Sequence, residues 1–384
     1  MANPSTALGS RAGQRLPSCS ARNVFSARKP QRAVSVVTRA QMMTSAPDRE
    51  KPEWTGDSVL SRVVNWAIGN PALYGVMKVF AKKAMKSSAE SRGILWDAHV
   101  ADMQKRKELE AIKSELEDPT LQPYPPYYMV PFHAYRTGNL EWLAAFEVQP
   151  ATYAMGIRTF KANPEWSAEK CFVEMRSRMT DAIKAYVARH GLRSPSLIAD
   201  MGCSTGISTR WFAQQFPDAQ QITGLDLSTY FLSVAEWERR RAEQGQQPPA
   251  QSLPPVRPGQ RSAPIKYVHG MCERSPFADG SQDMVVFNFV THECPQAAID
   301  DFIAESMRVL RPGGVLTFID NNPRSKTIQN LPPYLFTLMK STEPWSDEYY
   351  SYDLEAGMRR AGFKEVVTEE TDHRHRTVMG YKPL

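Results

Sequence analysis

Cysteine is scarce in this chain, and no pattern uses it for a structural cross-link or a metal site. The 384 residues include five cysteines. Cys171, Cys203, Cys272 and Cys294 form no C-x-x-C pair and have no histidine at zinc-site spacing. We therefore expect reduced thiols and no bound metal, with a regulatory disulfide as the alternative. No apolar run approaches the ~18 residues of a transmembrane helix.

Acidic residues are absent from the first 47 positions, which contain seven arginines or lysines. The remaining chain has 40 basic and 41 acidic residues, so its near-neutral charge predicts no nucleic-acid partner. An acid-free segment rich in Ser and Arg is typical of an organelle transit peptide. We predict that residues 1–47 are disordered and are cleaved near Thr38–Gln41 in the chloroplast. A mitochondrial peptide and a plain basic tail are the alternatives.

Apolar residues recur at helical spacing between residues 48 and 120. One stripe runs from Val59 to Ala67, a second lies within 71–87 beside several lysines, and a charged third stretch covers 97–117. The basic second helix either packs against the protein or lies on an anionic membrane surface.

Prolines alternate with aromatic rings between Leu121 and Tyr135, which predicts an extended or turn segment. Together with the preceding helices, this segment forms a predicted helical and aromatic extension at residues 48–164.

Strand and helix patterns alternate from residue 165 to the C-terminus, which predicts an α/β fold with a mostly parallel sheet. The last two strands have no helix between them, so we expect them to form an antiparallel hairpin. The predicted strands are 196–201, 221–226, 265–269, 283–289, 314–320, 365–369 and 375–381. The predicted helices are 167–189, 206–216, 228–243, 295–310 and 352–361.

Two insertions interrupt this alternation. Residues 244–264 are rich in Gln and Pro and have almost no apolar pattern, so we predict a disordered loop. Residues 321–350 follow the fifth strand and are apolar. Because ligands of α/β folds bind beyond the carboxyl ends of the strands, this second insertion is predicted to cap a substrate site.

A turn of small residues follows the first predicted strand, and an acid ends the second. The turn reads Asp200-Met201-Gly202-Cys203-Ser204-Thr205-Gly206, and Asp226 follows 20 positions after its last glycine. Such a turn lets the backbone approach a nucleotide-like ligand, while the second acid can accept hydrogen bonds from ribose hydroxyls. A tight turn with an N-capping carboxylate is the structural alternative.

These segments resemble motifs of class I S-adenosylmethionine (SAM)-dependent methyltransferases of the ubiquinone/menaquinone or type 11 kind. The resemblance also rests on Gly270–Phe277 and on Arg308–Gly314, the turn before the fifth strand. The Tyr124–Tyr135 segment is similar to that of plant and algal plastid methyltransferases. The implied fold is a Rossmann-like seven-stranded mostly parallel sheet with a C-terminal antiparallel hairpin and an N-terminal helical extension.

The resemblance implies SAM as cofactor and a set of residues that bind it. Two positions depart from the family pattern, because Ser204 replaces a glycine and Met271 replaces the aspartate that contacts the adenine amine; Glu273 is a possible substitute. The implied cofactor-binding residues are Asp200, Gly202, Cys203, Ser204, Thr205, Gly206, Asp226, Leu227, Met271, Cys272 and Asn288.

His292 and Glu293 follow the fourth strand, where the resemblance implies that the methyl group is presented. A histidine there can serve as a general base, because its unperturbed pKa lies near working pH. Glu293 can orient it or bind the acceptor. The alternative is that His292 only holds its loop.

The predicted function is methyl transfer from SAM to a small lipophilic or aromatic acceptor, such as a prenylated quinone or an isoprenoid lipid, in the plastid. Peripheral membrane association is compatible with this acceptor. A soluble phenolic or small acid is the alternative acceptor. A non-catalytic SAM-binding protein and a nicotinamide- or flavin-dependent oxidoreductase are alternative classes. The spacing of Gly202 and Gly206 argues against the oxidoreductase, which needs Gly-x-Gly-x-x-Gly.

Overall fold

A seven-stranded sheet is the centre of the chain, of which the computed structural model describes residues 50–55, 62, 71–133, 135–246, 260–331 and 333–384. The order across the sheet is β3-β2-β1-β4-β5-β7-β6. Strands β1 to β5 are parallel, and β7 runs antiparallel between β5 and β6. The predicted fold class is therefore confirmed. The strands are β1 (Leu197–Met201), β2 (Gln221–Asp226), β3 (Ile265–His269), β4 (Gln282–Asn288), β5 (Leu310–Asn321), β6 (Lys364–Glu370) and β7 (His375–Tyr381).

Helices precede the sheet in the chain and alternate with its strands. The first five are α1 (Pro71–Glu90), α2 (Trp96–Met103), α3 (Glu108–Leu116), α4 (Trp142–Thr159) and α5 (Ala168–Arg189). The strands are joined by α6 (Ile207–Gln215), α7 (Thr229–Glu243), α8 (Gln296–Val309), α9 (Lys326–Gln329), α10 (Pro333–Thr342), α11 (Ser346–Ser351) and α12 (Leu354–Arg360). No helix in the described part of the chain is both long and apolar enough to cross a membrane.

Successive side chains of a strand point to opposite sides of the sheet, and both sides are buried in the central strands. Ile198 and Met284 join one apolar core, which includes residues from α1 to α6. Ala199 and Val285 join the other, which includes residues from α8 to α12. Strand order reverses beside β1, which pairs with both β2 and β4. A crevice at the carboxyl ends of these strands is the expected ligand site of such a sheet.

Three parts of the sequence prediction need correction or completion. The charged helical stretch predicted at 97–117 is two helices, α2 and α3, because α2 packs on α4 whereas α3 packs on α7. Helix α4 was not predicted; its apolar residues leave no clear stripe, and Pro150 lies inside it. The insertion at 321–350 forms α9, α10 and α11.

Several predicted features lie outside the described residues. They are the transit segment 1–47, most of the Val59–Ala67 stripe and residues 247–259 of the 244–264 insertion.

Candidate functional site

A large cavity of about 1390 Å³ opens at the carboxyl ends of the central strands. Its walls come from the turn after β1, the ends of β2 and β4, the aromatic segment before α4, and helices α1, α4, α5 and α10. Pockets for one drug-sized ligand measure roughly 300–1,000 Å³. This cavity therefore has room for two ligands side by side.

Gly202 and Gly206 shape the turn between β1 and α6, but not by leaving space for a ligand. Both have left-handed φ angles, 71° and 72°. A Cβ at Gly202 would lie 2.7 Å from Val290, and one at Gly206 would lie 2.1 Å from the Tyr267 hydroxyl oxygen. The glycines are thus required by the packing of the protein itself. The side chains of Val290 and Tyr267 therefore occupy the space beside these glycines in which the sequence pattern predicted a ligand.

Asp226, at the end of β2, holds the same turn in place. Its Oδ2 accepts a hydrogen bond from the Ser204 amide at 2.7 Å, and its Oδ1 accepts one from the Ser228 amide at 2.8 Å. Burial raises the pKa of Asp226 to about 6, although these two amides favour its charged form. Asp226 therefore holds the turn and caps backbone amides, which is the structural alternative to a ribose contact. Each carboxylate oxygen can accept more than one bond, so Asp226, which lines the cavity, can also accept from ribose hydroxyls.

Asp200 is fully buried at the end of β1 and does not line the cavity. Its Oδ2 accepts hydrogen bonds from the hydroxyls of Ser208 and Thr209, at 2.7 and 2.6 Å. Burial raises its pKa to about 6, against the hydroxyl bonds and the nearby charge of Arg176. Asp200, which the resemblance implies as a cofactor-binding residue, therefore holds the first turn of α6 and does not itself line the cavity.

Buried polar atoms without a hydrogen-bond partner cluster beside Asp200. Arg176, on α5, is only 5% exposed, and its Nε and Nη1 have no partner among the described residues. Both polar atoms of the Asn288 side chain, at the end of β4, are likewise unpaired, as is Oδ1 of Asp200. Leaving such groups unpaired in a protein interior costs free energy. Arg176 and Asn288 line the cavity, and this donor and acceptor set complements the carboxylate and ammonium of an α-amino acid.

Phe289 fixes the guanidinium of Arg176 from the cavity side. The guanidinium carbon lies 5.7 Å from the Phe289 ring centroid and 5.5 Å from that of Phe172. Phe289 has a φ of 60°, an outlier for a bulky residue, directly after β4. Sequence reasoning missed Arg176 because it lies in an amphipathic helix, where an arginine usually faces solvent.

The structure brings most of the predicted cofactor-binding residues to the cavity but leaves three out. Asp200, Gly206 and Met271 do not line it. Glu273, the possible substitute for the missing adenine contact, lines it and accepts a hydrogen bond from the Tyr127 hydroxyl. The predicted residues that do line it are Gly202, Cys203, Ser204, Thr205, Asp226, Leu227, Cys272 and Asn288.

His269 fastens the aromatic segment to the sheet, a link that the sequence did not reveal. Its Nδ1 accepts a hydrogen bond from the Asp118 amide at 2.9 Å. Its Nε2 lies 3.1 Å from the Leu227 carbonyl oxygen and 3.2 Å from the Tyr124 hydroxyl. This network holds the aromatic segment beside Leu227, one of the implied cofactor-binding residues.

His292 and Glu293 lie in a short 3-10 helix, Thr291–Glu293, which begins three residues after Asn288 at the end of β4. His292 is buried, and its Nδ1 lies 2.8 Å from Oδ1 of Asp320 at the end of β5. Burial lowers the pKa of His292, but the Asp320 carboxylate outweighs it and raises that pKa to about 10. Glu293 accepts a hydrogen bond from the Asn139 side chain, and burial raises its pKa. Both predicted catalytic residues line the cavity.

The four described cysteines form no disulfide with one another. Cys203, Cys272 and Cys294 line the cavity. Burial raises the pKa of each of these thiols well above its usual range, so they are protonated at neutral pH.

Known proteins resemble this chain in sequence. Residues 199–318 match the family described as "Methyltransferase domain". An uncharacterized methyltransferase of Synechocystis sp. is 32% identical over 170 residues, which cover 44% of this chain and 67% of the relative. A demethylmenaquinone methyltransferase of Beutenbergia cavernae is 26% identical, covering 46% of this chain and 71% of the relative.

The structure of human N-acetylserotonin methyltransferase in complex with SAM is 15% identical to this chain, with a TM-score of 0.39. The match covers 74% of this chain and 70% of the human protein.

The unpaired cluster of Arg176 and Asn288 suits the methionine end of SAM, and Asp226 suits its ribose. SAM carries the transferable methyl group on its sulfonium sulfur. The strand order, the match over 199–318 and the Synechocystis relative agree with this fit. The chain belongs to the class I SAM-dependent methyltransferases, and SAM is its methyl donor.

Proposed function

We propose that this methyltransferase acts on a small lipophilic or aromatic acceptor, such as a prenylated quinone or another isoprenoid lipid. The cavity carries this proposal. Its volume of about 1390 Å³ exceeds the roughly 300–1,000 Å³ of a pocket for one drug-sized ligand, and many apolar side chains line it. The relative from Beutenbergia cavernae is a demethylmenaquinone methyltransferase, which supports a ring-bearing acceptor.

The apolar walls come from four separate segments of the chain. Met85 of α1, Met155 of α4 and Phe132 of the aromatic segment line the cavity. Leu335 and Met339 of α10 line it as well. Burying an apolar ligand surface stabilises binding by about 25 cal/mol for each Å² removed from water. These walls therefore favour a hydrocarbon chain or an aromatic ring over a sugar or a peptide.

The chemistry asks the protein mainly to align two ligands. The acceptor atom forms a bond to the methyl carbon while the carbon–sulfur bond breaks, and S-adenosylhomocysteine leaves. Such a displacement depends on positioning, and a neutral acceptor must also lose a proton. His292 and Glu293 stand on the cavity wall where acceptor and methyl group would meet, and Asp320 orients His292.

A small carboxylic acid is the second candidate acceptor, because basic residues line one side of the same cavity. They are Arg158, Lys161 and Arg374. Burial and the neighbouring charge of Arg374 together lower the pKa of Arg158 to about 10. Two guanidinium groups that repel one another would be stabilised by a bound anion.

We also propose that the enzyme works in the plastid, at or near a membrane surface. The acid-free residues 1–47 support import, and the exposed Val79 and Phe80 of α1, beside Lys83, support contact with an anionic membrane. A reporter fused to residues 1–40 is expected to enter plastids and lose the segment near residue 40. A reporter confined to the cytosol would contradict the targeting.

Metabolite profiling of a strain that lacks the protein tests the acceptor. The expected result is accumulation of a lipid or aromatic compound that is lighter than its normal product by one methylene group. Purified enzyme with SAM should then methylate that compound. Accumulation of a water-soluble acid instead would favour the second candidate.

A further inference from the structure

One part of the cavity wall, which we call the acceptor side, contains two imidazoles and a carboxylate that face one another. They belong to His133 in the aromatic segment, His292 after β4, and Glu343 after α10. One ligand atom from each residue lies within 4.8 Å of the other two. Atoms bound to one ion at about 2.1 Å lie up to ~4.2 Å apart, so small side-chain movements would close the group on a cation.

We propose that His133, His292 and Glu343 bind one divalent metal ion. The sequence predicted no metal, because the three residues have no common spacing and only the fold assembles them. Two nitrogen ligands and one oxygen ligand suit Zn²⁺, Co²⁺, Fe²⁺ or Mn²⁺.

His292 is already oriented as a metal ligand would be. Its Nδ1 faces Asp320 at 2.8 Å, so its Nε2 is the atom that faces the cavity cluster. Asp320 is itself held by the Thr291 hydroxyl at 2.7 Å and by the His292 amide at 3.1 Å. A carboxylate behind a histidine is the usual outer partner of a metal-bound imidazole, because it fixes the ring and increases its basicity.

The other two residues are held to each other through the backbone. The His133 amide donates a hydrogen bond of 2.8 Å to the carbonyl of Thr342, the residue before Glu343. Nε2 of His133 lies 3.8 Å from Oε1 of Glu343. His133 has a left-handed φ of 47°, an uncommon conformation that the protein retains at this point of the cavity wall.

The charge around the cluster favours a cation. Oε2 of Glu343 is buried and has no hydrogen-bond partner among the described residues. Glu293 adds a second carboxylate, with Oε1 3.9 Å from Nδ1 of His133 and 4.0 Å from Nε2 of His292. Buried carboxylates are paired with a cation or lose their charge. Three protein ligands leave a coordination position open, as catalytic metal sites do.

An ion in this place would take an oxygen or nitrogen of the acceptor as a further ligand and lower the pKa of that group. This role rests on the proposed function, since it requires the acceptor to bind here. The ion site itself does not depend on the identity of the acceptor.

Titration of the full-length, chelator-treated protein with Co²⁺ tests the site without SAM or acceptor. Absorption spectra report nitrogen and oxygen coordination, and elemental analysis gives the stoichiometry. We expect one equivalent in the wild type and at least a tenfold weaker affinity in His133→Ala and in Glu343→Gln. His373→Ala removes another histidine of the cavity wall and should bind Co²⁺ like the wild type.

Binding of S-adenosylhomocysteine by each variant shows that it is folded. Absence of saturable Co²⁺ binding in the wild type would overturn the proposal. Binding that both variants retain would also overturn it, because the ion would then lie elsewhere. Either result would leave methyl transfer to a lipophilic acceptor untouched, whereas failure to find such an acceptor would not affect the Co²⁺ titration.

Discussion

The amide of Ser204 donates a hydrogen bond of 2.7 Å to the carboxylate of Asp226, and Ser204 has a left-handed φ of 52°. The bond joins the turn after β1 to the end of β2, so two predicted cofactor contacts are one structural unit. Ser204 stands at a position where the resemblance implies glycine, so this φ is a strained conformation for it.

Ser204→Gly should relieve this strain. A left-handed φ costs a non-glycine residue roughly 1–2 kcal/mol, and the extra flexibility of glycine in the unfolded chain offsets about 0.5–1 kcal/mol of the gain. We expect the free energy of unfolding to rise by up to about 1 kcal/mol. Ser204→Val, which places a β-branched side chain at the same φ, should lower it. Denaturant unfolding measures both, and equal destabilisation by the two variants would contradict the strain.

Asp226→Ala should weaken SAM binding by roughly 1.5–3 kcal/mol, because ribose hydroxyls and two backbone amides lose a charged acceptor. Calorimetry should show an affinity at least about tenfold lower. Asp218→Ala removes an exposed carboxylate from the same domain and should bind SAM normally. Unchanged affinity in Asp226→Ala would refute the ribose contact.

Arg176→Met should weaken binding of SAM and S-adenosylhomocysteine at least about tenfold, because a hydrogen bond to a charged group contributes roughly 1.5–3 kcal/mol. It should leave the affinity for methylthioadenosine, which has no carboxylate, nearly unchanged. Arg178→Met alters an arginine of the same helix that pairs with Glu174 and serves as the control. Equal losses for all three ligands would indicate a general packing role for Arg176.

If His292 is the general base, His292→Ala should lower turnover at least about 10²-fold with SAM affinity intact, the lower bound of positioned acid–base catalysis. Asp320→Asn keeps the volume of the side chain but removes the charge that raises the pKa of His292, so the rise of turnover with pH should move to lower pH. The measurement is initial rate at saturating SAM, with calorimetry for SAM binding. A loss under tenfold in His292→Ala would favour the loop-holding role.

His269 should make stability depend on pH. Burial lowers its pKa in the folded protein from the ordinary 6.5, and the charges of Glu117 and Asp118 offset this only in part. The unfolded chain therefore binds more protons near and below pH 6.5, so His269 contributes stability above that pH and loses it as pH falls through this range.

His269→Asn retains an acceptor for the Asp118 amide but has no imidazole to protonate. Urea unfolding of both proteins between about pH 5 and pH 8 should show a smaller loss at low pH in the variant. Identical pH profiles would show that His269 titrates alike in the folded and unfolded chains.

The sheet and most of its helices were predictable because their signals are local. Apolar runs and alternation mark strands such as β4, and Arg308–Gly314 marks the entry to β5 without any long-range information. Helix α4 was not predicted because it is buried on most sides, so its apolar residues show no single stripe. The division of 97–117 into α2 and α3 was not predicted because it depends on the different helices against which each one packs.

Local patterns in the sequence were enough to predict the fold class, the SAM motifs and the positions of His292 and Asp226. The surroundings of these residues depend on long-range contacts that only the folded chain makes. Arg176 reaches the cavity from α5, His269 bonds to an amide 151 positions earlier in the chain, and His133 meets Glu343 across the acceptor side. The sequence spacing of these residues predicts none of these contacts. Each contact matters energetically because a charge or polar group that is buried on folding is costly without a partner. Only the fold brings that partner within reach.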